Sequence, residues 1–134
     1  MSLHKLVVRS STIVVNNTQN SFPFAAPIPP LGAFTMPEQL VSVDDAYLLV
    51  EALGGAAFGG PFVLNVRVNG RLLGLFQFDR WTSHLIMIPT VVIVPIPRGI
   101  LITGNASFSS PNVVVFDAPQ ASDYFFVGPV VCHY

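Results

Sequence analysis

The chain has 134 residues, 10% of them charged and 51% hydrophobic, with a net charge of −1. Ordinary soluble domains carry about 25% charged residues, so this surface is poor in charge, and a net charge near zero favours association. Six scattered Lys and Arg residues lack the basic footprint of a nucleic-acid binder. The longest apolar stretch, 85–96, is interrupted by Pro89, Thr90 and Pro95 and is too short for a transmembrane segment.

The length predicts one domain over residues 1–134, large enough for its own core. His4, Lys5 and Arg9 are not followed by the apolar run and small-residue cleavage site of a signal peptide. Synthesis in a cytoplasm is therefore expected, which is compatible with action in an extracellular or particle-associated assembly. Cys132 is the single cysteine, which excludes an intrachain disulfide and a thiolate metal site; burial as a small hydrophobe is its expected role.

In chain order, residues 5–16 read as strand, with Ser10-Ser11 as a bend between two aliphatic runs. Residues 16–20 read as a polar turn. Residues 21–37 hold Pro23, Pro27, Pro29, Pro30 and Pro37 among Phe22, Phe24, Ile28, Leu31, Phe34 and Met36. Proline at that density forbids helix and central strand, and the apolar content is too high for a disordered linker. An extended arm lying against the domain or a neighbouring copy is expected. Asp44-Asp45 marks a turn before a strand at 46–53, and the glycine-rich segment 54–60 reads as a loop.

Residues 61–78 form the clearest feature, two apolar runs joined by Asn69-Gly70, the strongest short hairpin signal. Uninterrupted pairing sets Val68 against Arg71, Val66 against Leu73, Leu64 against Leu75 and Phe62 against Gln77. Opposed residues share a face, so Phe62, Leu64, Val66, Val68, Leu73 and Leu75 make a core face. The other face then carries Val63, Asn65, Arg67, Leu72, Gly74, Phe76 and Phe78, too apolar for a surface left in water.

Further strands are expected at 84–88, 91–94, 100–103, 113–116 and 124–134, the last bulged at Gly128-Pro129. Eight or nine short strands separated by turn signals, without a long helix, predict an all-β, antiparallel sandwich of jelly-roll type. Val91 to Val94 and Val113 to Phe116 show no polar alternation. A two-sheet sandwich has one inner face per sheet, so their second sides must meet another surface.

Candidate sites are few. His4, His84 and His133 lack metal-ligand spacing, and no metal or other cofactor is expected. Asp79, Ser83 and His84 supply triad residue types, but adjacent residues on a strand point to opposite faces and no nucleophile elbow occurs. Asp44-Asp45 is expected to be solvated rather than calcium-bound. Trp81, flanked by Asp79, Arg80 and Ser83, has the composition of a sugar-stacking platform.

The expected function is a non-enzymatic structural subunit that self-assembles into an oligomer, shell, spike or filament. Its contacts are expected at Phe22, Phe24, Ile28, Phe34, Val63, Leu72, Phe76 and Phe78. The alternative is a carbohydrate-binding module or lectin with glycan partners, using Asp79, Arg80, Trp81 and Ser83.

Overall fold

The computed structural model describes residues 4–9, 12–15, 19–27, 46–56, 62–78, 89–118 and 123–134. Their strands are β1 (His4–Val8), β2 (Thr12–Val15), β3 (Gln19–Phe24), β4 (Tyr47–Ala56), β5 (Phe62–Val68), β6 (Arg71–Phe78), β7 (Pro89–Pro95), β8 (Asn112–Asp117) and β9 (Asp123–His133). A single turn of helix, α1 (Ala106–Ser109), precedes β8.

Two antiparallel sheets form the sandwich. One has the order β1-β9-β4-β7, with β2 continuing beside β9 beyond β1; the other has the order β3-β8-β5-β6. With β1 and β2 taken as one interrupted strand, the pairs nest. The β1/β2 strand pairs with β9, β3 with β8, β4 with β7 and β5 with β6. A long hairpin rolled over on itself in this way is the jelly roll.

The core follows from period-two alternation. Leu48, Val50 and Ala52 of β4, Leu64, Val66 and Val68 of β5, Val114 and Phe116 of β8, and Val127, Val130 and Cys132 of β9 are buried. β-branched residues dominate these positions because they suit a pleated, close-packed surface.

Several expectations change. Residues 19–24 are strand rather than turn and arm: β3 pairs with β8, and Pro23 is tolerated because β3 is an edge strand. Strand β4 continues through Gly54 and Gly55, which pair with Phe125 and Tyr124 of β9, so these glycines are ladder rather than loop. Pro89 opens β7, an edge strand bounded by prolines. Residues 100–103 are not strand; they lead through a turn into α1. The expected irregularity at Gly128-Pro129 is present, since pairing with β4 shifts between Val50–Val130 and Ala52–Val127. The stretches 28–45 and 79–88, with the outer part of the arm, Asp44-Asp45 and the strand expected at 84–88, lie outside the described residues.

The hairpin departs from its expected register. Val68 pairs with Arg71, but Val66 pairs with Gly74 and Arg67 with Leu72, so Leu73 is an extra residue. This β-bulge moves every later pair by one. Leu64 aligns with Phe76, Phe62 with Phe78 and Val63 with Gln77. Leu73 still packs against the core. The bulge thus brings the backbone positions of two phenylalanines, in place of Leu75 and Gln77, opposite the core-side positions Leu64 and Phe62.

The Asn69-Gly70 turn is fastened to the rest of the sandwich. Asn69 has φ +51° and Gly70 φ +81°, the left-handed geometry of a tight hairpin turn. The Asn69 amide Nδ2 donates to the Ile100 carbonyl at 2.7 Å and to Asn112 Oδ1 at 3.0 Å, while its Oδ1 accepts from the Val113 N–H at 2.9 Å. Asn112 is fully buried; its Oδ1 also accepts from the Ile102 N–H and its Nδ2 donates to the Ile102 carbonyl, both at 2.7 Å. Replacing Asn112 with Ala strands these partners. We expect Asn112→Ala to lower unfolding free energy by about 2–4 kcal/mol, measured by urea denaturation.

Candidate functional site

Five large hydrophobic side chains are exposed among the described residues; Leu72 lies on β6 and Phe108 on α1, and the other three share one face. Of the large hydrophobic side chains exposed among the described residues, Leu6 (44%), Val91 (61%) and Ile93 (60%) lie on the outer face of the β1-β9-β4-β7 sheet. Strand register joins them into a band. Leu6 pairs with Val131, Val131 with Leu49, and Leu49 with Ile93, so one apolar row crosses all four strands. At about 4.8 Å per strand it is roughly 14 Å wide. Val91 extends it at the β7 edge and pairs with Glu51, the acidic residue of β4 on this side.

The next row along the strands is aromatic. His4 pairs with His133, His133 with Tyr47, and Tyr47 with Pro95. The Tyr47 and His133 rings stack at 4.6 Å with 14° between planes, and the His4 ring lies 5.8 Å from that of His133. Two of the three histidines thus meet although they are 129 positions apart, because the first and last strands of a jelly roll are neighbours.

The outer face of the β3-β8-β5-β6 sheet is more polar. Asp117 of β8 accepts a hydrogen bond from Asn65 Nδ2 at 2.8 Å and lies 3.6 Å from the Arg67 guanidinium. Gln19 and Ser21 of β3 are exposed beside it. Val63 is half-buried and Leu72 is 45% exposed on this face, so the hairpin's second side is a mixed surface that β8 has supplied with a carboxylate.

The expected contact residues therefore divide. Phe24 is 5% exposed and belongs to the core, and Phe22 is half-buried with its ring 5.9 Å from that of Phe116. These two are corrected from surface to interior, because β3 folds them inward against β8. Phe76 and Phe78 hold register positions opposite Leu64 and Phe62. Ile28, Phe34, Asp79, Arg80, Trp81, Ser83 and His84 lie outside the described residues. The band across β1, β9, β4 and β7 was not singled out from sequence. Its signal was the unbroken run Val91 to Val94, which on an edge strand must send alternate residues to solvent.

At the end of the sandwich that carries the Asn69–Asn112 contact, loops are tied to the body by hydrogen bonds. Buried Ser107 donates to the Gly104 carbonyl at 2.6 Å and accepts from the Ala26 N–H at 3.1 Å. The Tyr134 hydroxyl donates to the Pro27 carbonyl at 2.9 Å, and its pKa is raised by burial and then by Cys132.

Burial pushes the Cys132 thiol up to about 12. No family model matches this chain, and no curated protein matches it. Among solved structures it is similar to dimeric latent PorU from Porphyromonas gingivalis, with a TM-score of 0.62 and 12% identity. The match covers 98% of this chain and 12% of that one, so the chain spans about an eighth of PorU's length and the likeness is one of fold.

A buried thiol that resists ionisation predicts two results. Native Cys132 should not react with a thiolate-selective reagent at pH 8, and should react once urea unfolds the chain. The sign of the pH effect follows from the raised folded value. The unfolded thiol loses its proton above about 9 while the folded one keeps it, so stability declines between about pH 9 and 12. Cys132→Ala should remove that part of the alkaline loss, read from urea midpoints across this range.

Proposed function

We propose that this chain is a non-enzymatic structural subunit that self-assembles through the outer face of its β1-β9-β4-β7 sheet. The observation that carries the reading is the apolar row Leu6, Val131, Leu49 and Ile93, extended by Val91. Withdrawing a large apolar side chain from water is worth about 1.5–3 kcal/mol. Several such residues on one rigid sheet reward a second surface laid over them, and low overall charge offers little repulsion against it. The opposite face, with Asn65, Arg67 and Asp117, is suited to remain in water. The contrast between faces gives association a direction.

The carbohydrate-binding alternative rests on Trp81 and its neighbours, and a glycan array with Trp81→Ala as control tests it separately.

Sedimentation at micromolar concentration tests the assembly proposal. The unmodified chain should run as an oligomer, and the pair Val91→Glu with Ile93→Glu should run as a folded monomer, because these exposed positions can take a carboxylate without entering the core. A monomeric unmodified chain overturns the proposal, and so does an oligomer indifferent to the two charges.

A further inference from the structure

The aromatic row beside the apolar band holds two groups whose charge changes in the ordinary pH range. His4 of β1 and His133 of β9 are directly opposed across an antiparallel pair, with ring centres 5.8 Å apart. His4 is exposed, and His133 and Tyr47 are half-buried on the outer face of the sheet. Each histidine stands two residues along its strand from the apolar row, from Leu6 and from Val131, a step of about 7 Å. A stable contact covers on the order of 800 Å² on each partner, a patch roughly 28 Å across. A second copy laid over Leu6, Val131, Leu49 and Ile93 therefore covers the histidine row as well.

We propose that His4 and His133 make the contact between copies acid-sensitive, a regulation that rests on the assembly reading: neutral imidazoles permit the contact and protonated ones oppose it. Histidine is the side chain whose charge changes between about pH 5 and 8. Covering an ionisable group with a second protein surface withdraws water from it and disfavours its charged form. Protonation also sets two like charges side by side on each copy, at the margin of an apolar contact. The assembled state thus binds fewer protons than the free copy, so association weakens as pH falls.

Among the described residues, the groups around the pair do not balance that charge. On β4, Tyr47 stacks a neutral ring on His133, and Glu51 lies two rows further along, about 13 Å away, beyond the range of charges screened by physiological salt. On β1, Lys5 pairs with buried Cys132 and so belongs to the other side of the sheet, and Arg9 follows the far end of the strand; both are positive. On β9, Cys132 stays a neutral thiol and the Tyr134 hydroxyl is bound to the Pro27 carbonyl. The Tyr134 carboxylate sets one negative charge against two imidazolium groups. Neither β7, which adds Pro95 to the row, nor β3, packed beneath β1, carries an ionisable side chain.

Sedimentation between pH 8 and pH 5, with circular dichroism to follow folding, tests the switch. The unmodified chain should be oligomeric at pH 8 and dissociate, still folded, as the pH falls to 5. Each imidazole kept neutral in the contact weakens association by up to about tenfold per pH unit below its titration, so the apparent Kd should rise at least about hundredfold. The pair His4→Gln with His133→Gln, neutral throughout, should stay oligomeric at pH 5. The pair His4→Lys with His133→Lys, charged throughout, should be a folded monomer at pH 8. A monomeric unmodified chain at pH 8 removes the assembly reading and the switch with it. An oligomer of unchanged affinity at pH 5 leaves the assembly reading standing and overturns the switch alone. So does dissociation at pH 5 that the glutamine substitutions fail to prevent, or that accompanies loss of the strand signal.

Discussion

Two asparagine side chains hold one end of this sandwich together. Asn69 turns the β5–β6 hairpin and reaches across to the Val113 backbone and the Ile100 carbonyl. Asn112, fully buried at the start of β8, receives the Asn69 amide and clasps both backbone groups of Ile102. The hairpin turn, the connection from β7 and the start of β8 are thereby fixed to one another. Hydrophobic burial is not directional, and a chain this rich in Val, Ile and Leu has many ways to pack. Neutral amides that must be satisfied when buried supply the direction. They do so without adding charge, which suits a molecule with few charges to arrange.

That clasp also sets the relation between the two outer faces. Because β5 and β8 are locked in register, Arg67 and Asn65 arrive beside Asp117 and make one face polar. More of the exposed apolar side chains fall on the other sheet, where β4 and β7 pair Leu49 with Ile93 and Glu51 with Val91. The sandwich consequently has a dry core, one mixed flank and one more apolar flank that water covers at a cost.

Much of the fold was legible in the sequence. Asn69-Gly70 gave away the hairpin, since few other dipeptides accept two positive φ angles. Gly128-Pro129 announced the break in β9's pairing, whereas Gly54 and Gly55, read as loop, pair in the β4 ladder. The register of the hairpin was not legible, because counting by twos assumes an unbroken ladder and Leu73 inserts one residue. The polar clasp escaped for a related reason: nothing near Asn112 in the sequence says that Ile102 and Asn69 will surround it. The same limit hid the apolar band. Leu6, Leu49, Ile93 and Val131 become a row only when strands from the beginning, middle and end of the chain are laid side by side. Phe22 and Phe24 were misplaced because proline density suggested an arm, whereas an edge strand tolerates Pro23 and folds both rings inward.

Among the described residues, all four sheet margins are interrupted. The outer margin beside β9 is divided between β1 and β2; β7 is bounded by Pro89 and Pro95; β3 contains Pro23; and β6 carries the bulge at Leu73. Each interruption removes or misaligns backbone donors and acceptors that a neighbouring chain would need to add a strand. Apolar chains usually risk indefinite cross-β growth by that route. In this molecule the apolar band runs out to β1 and β7, where the backbone ladder is interrupted, so the surface offered there to a second body is one of side chains. The contact proposed between copies would saturate once that face is covered, giving a finite particle rather than a fibre.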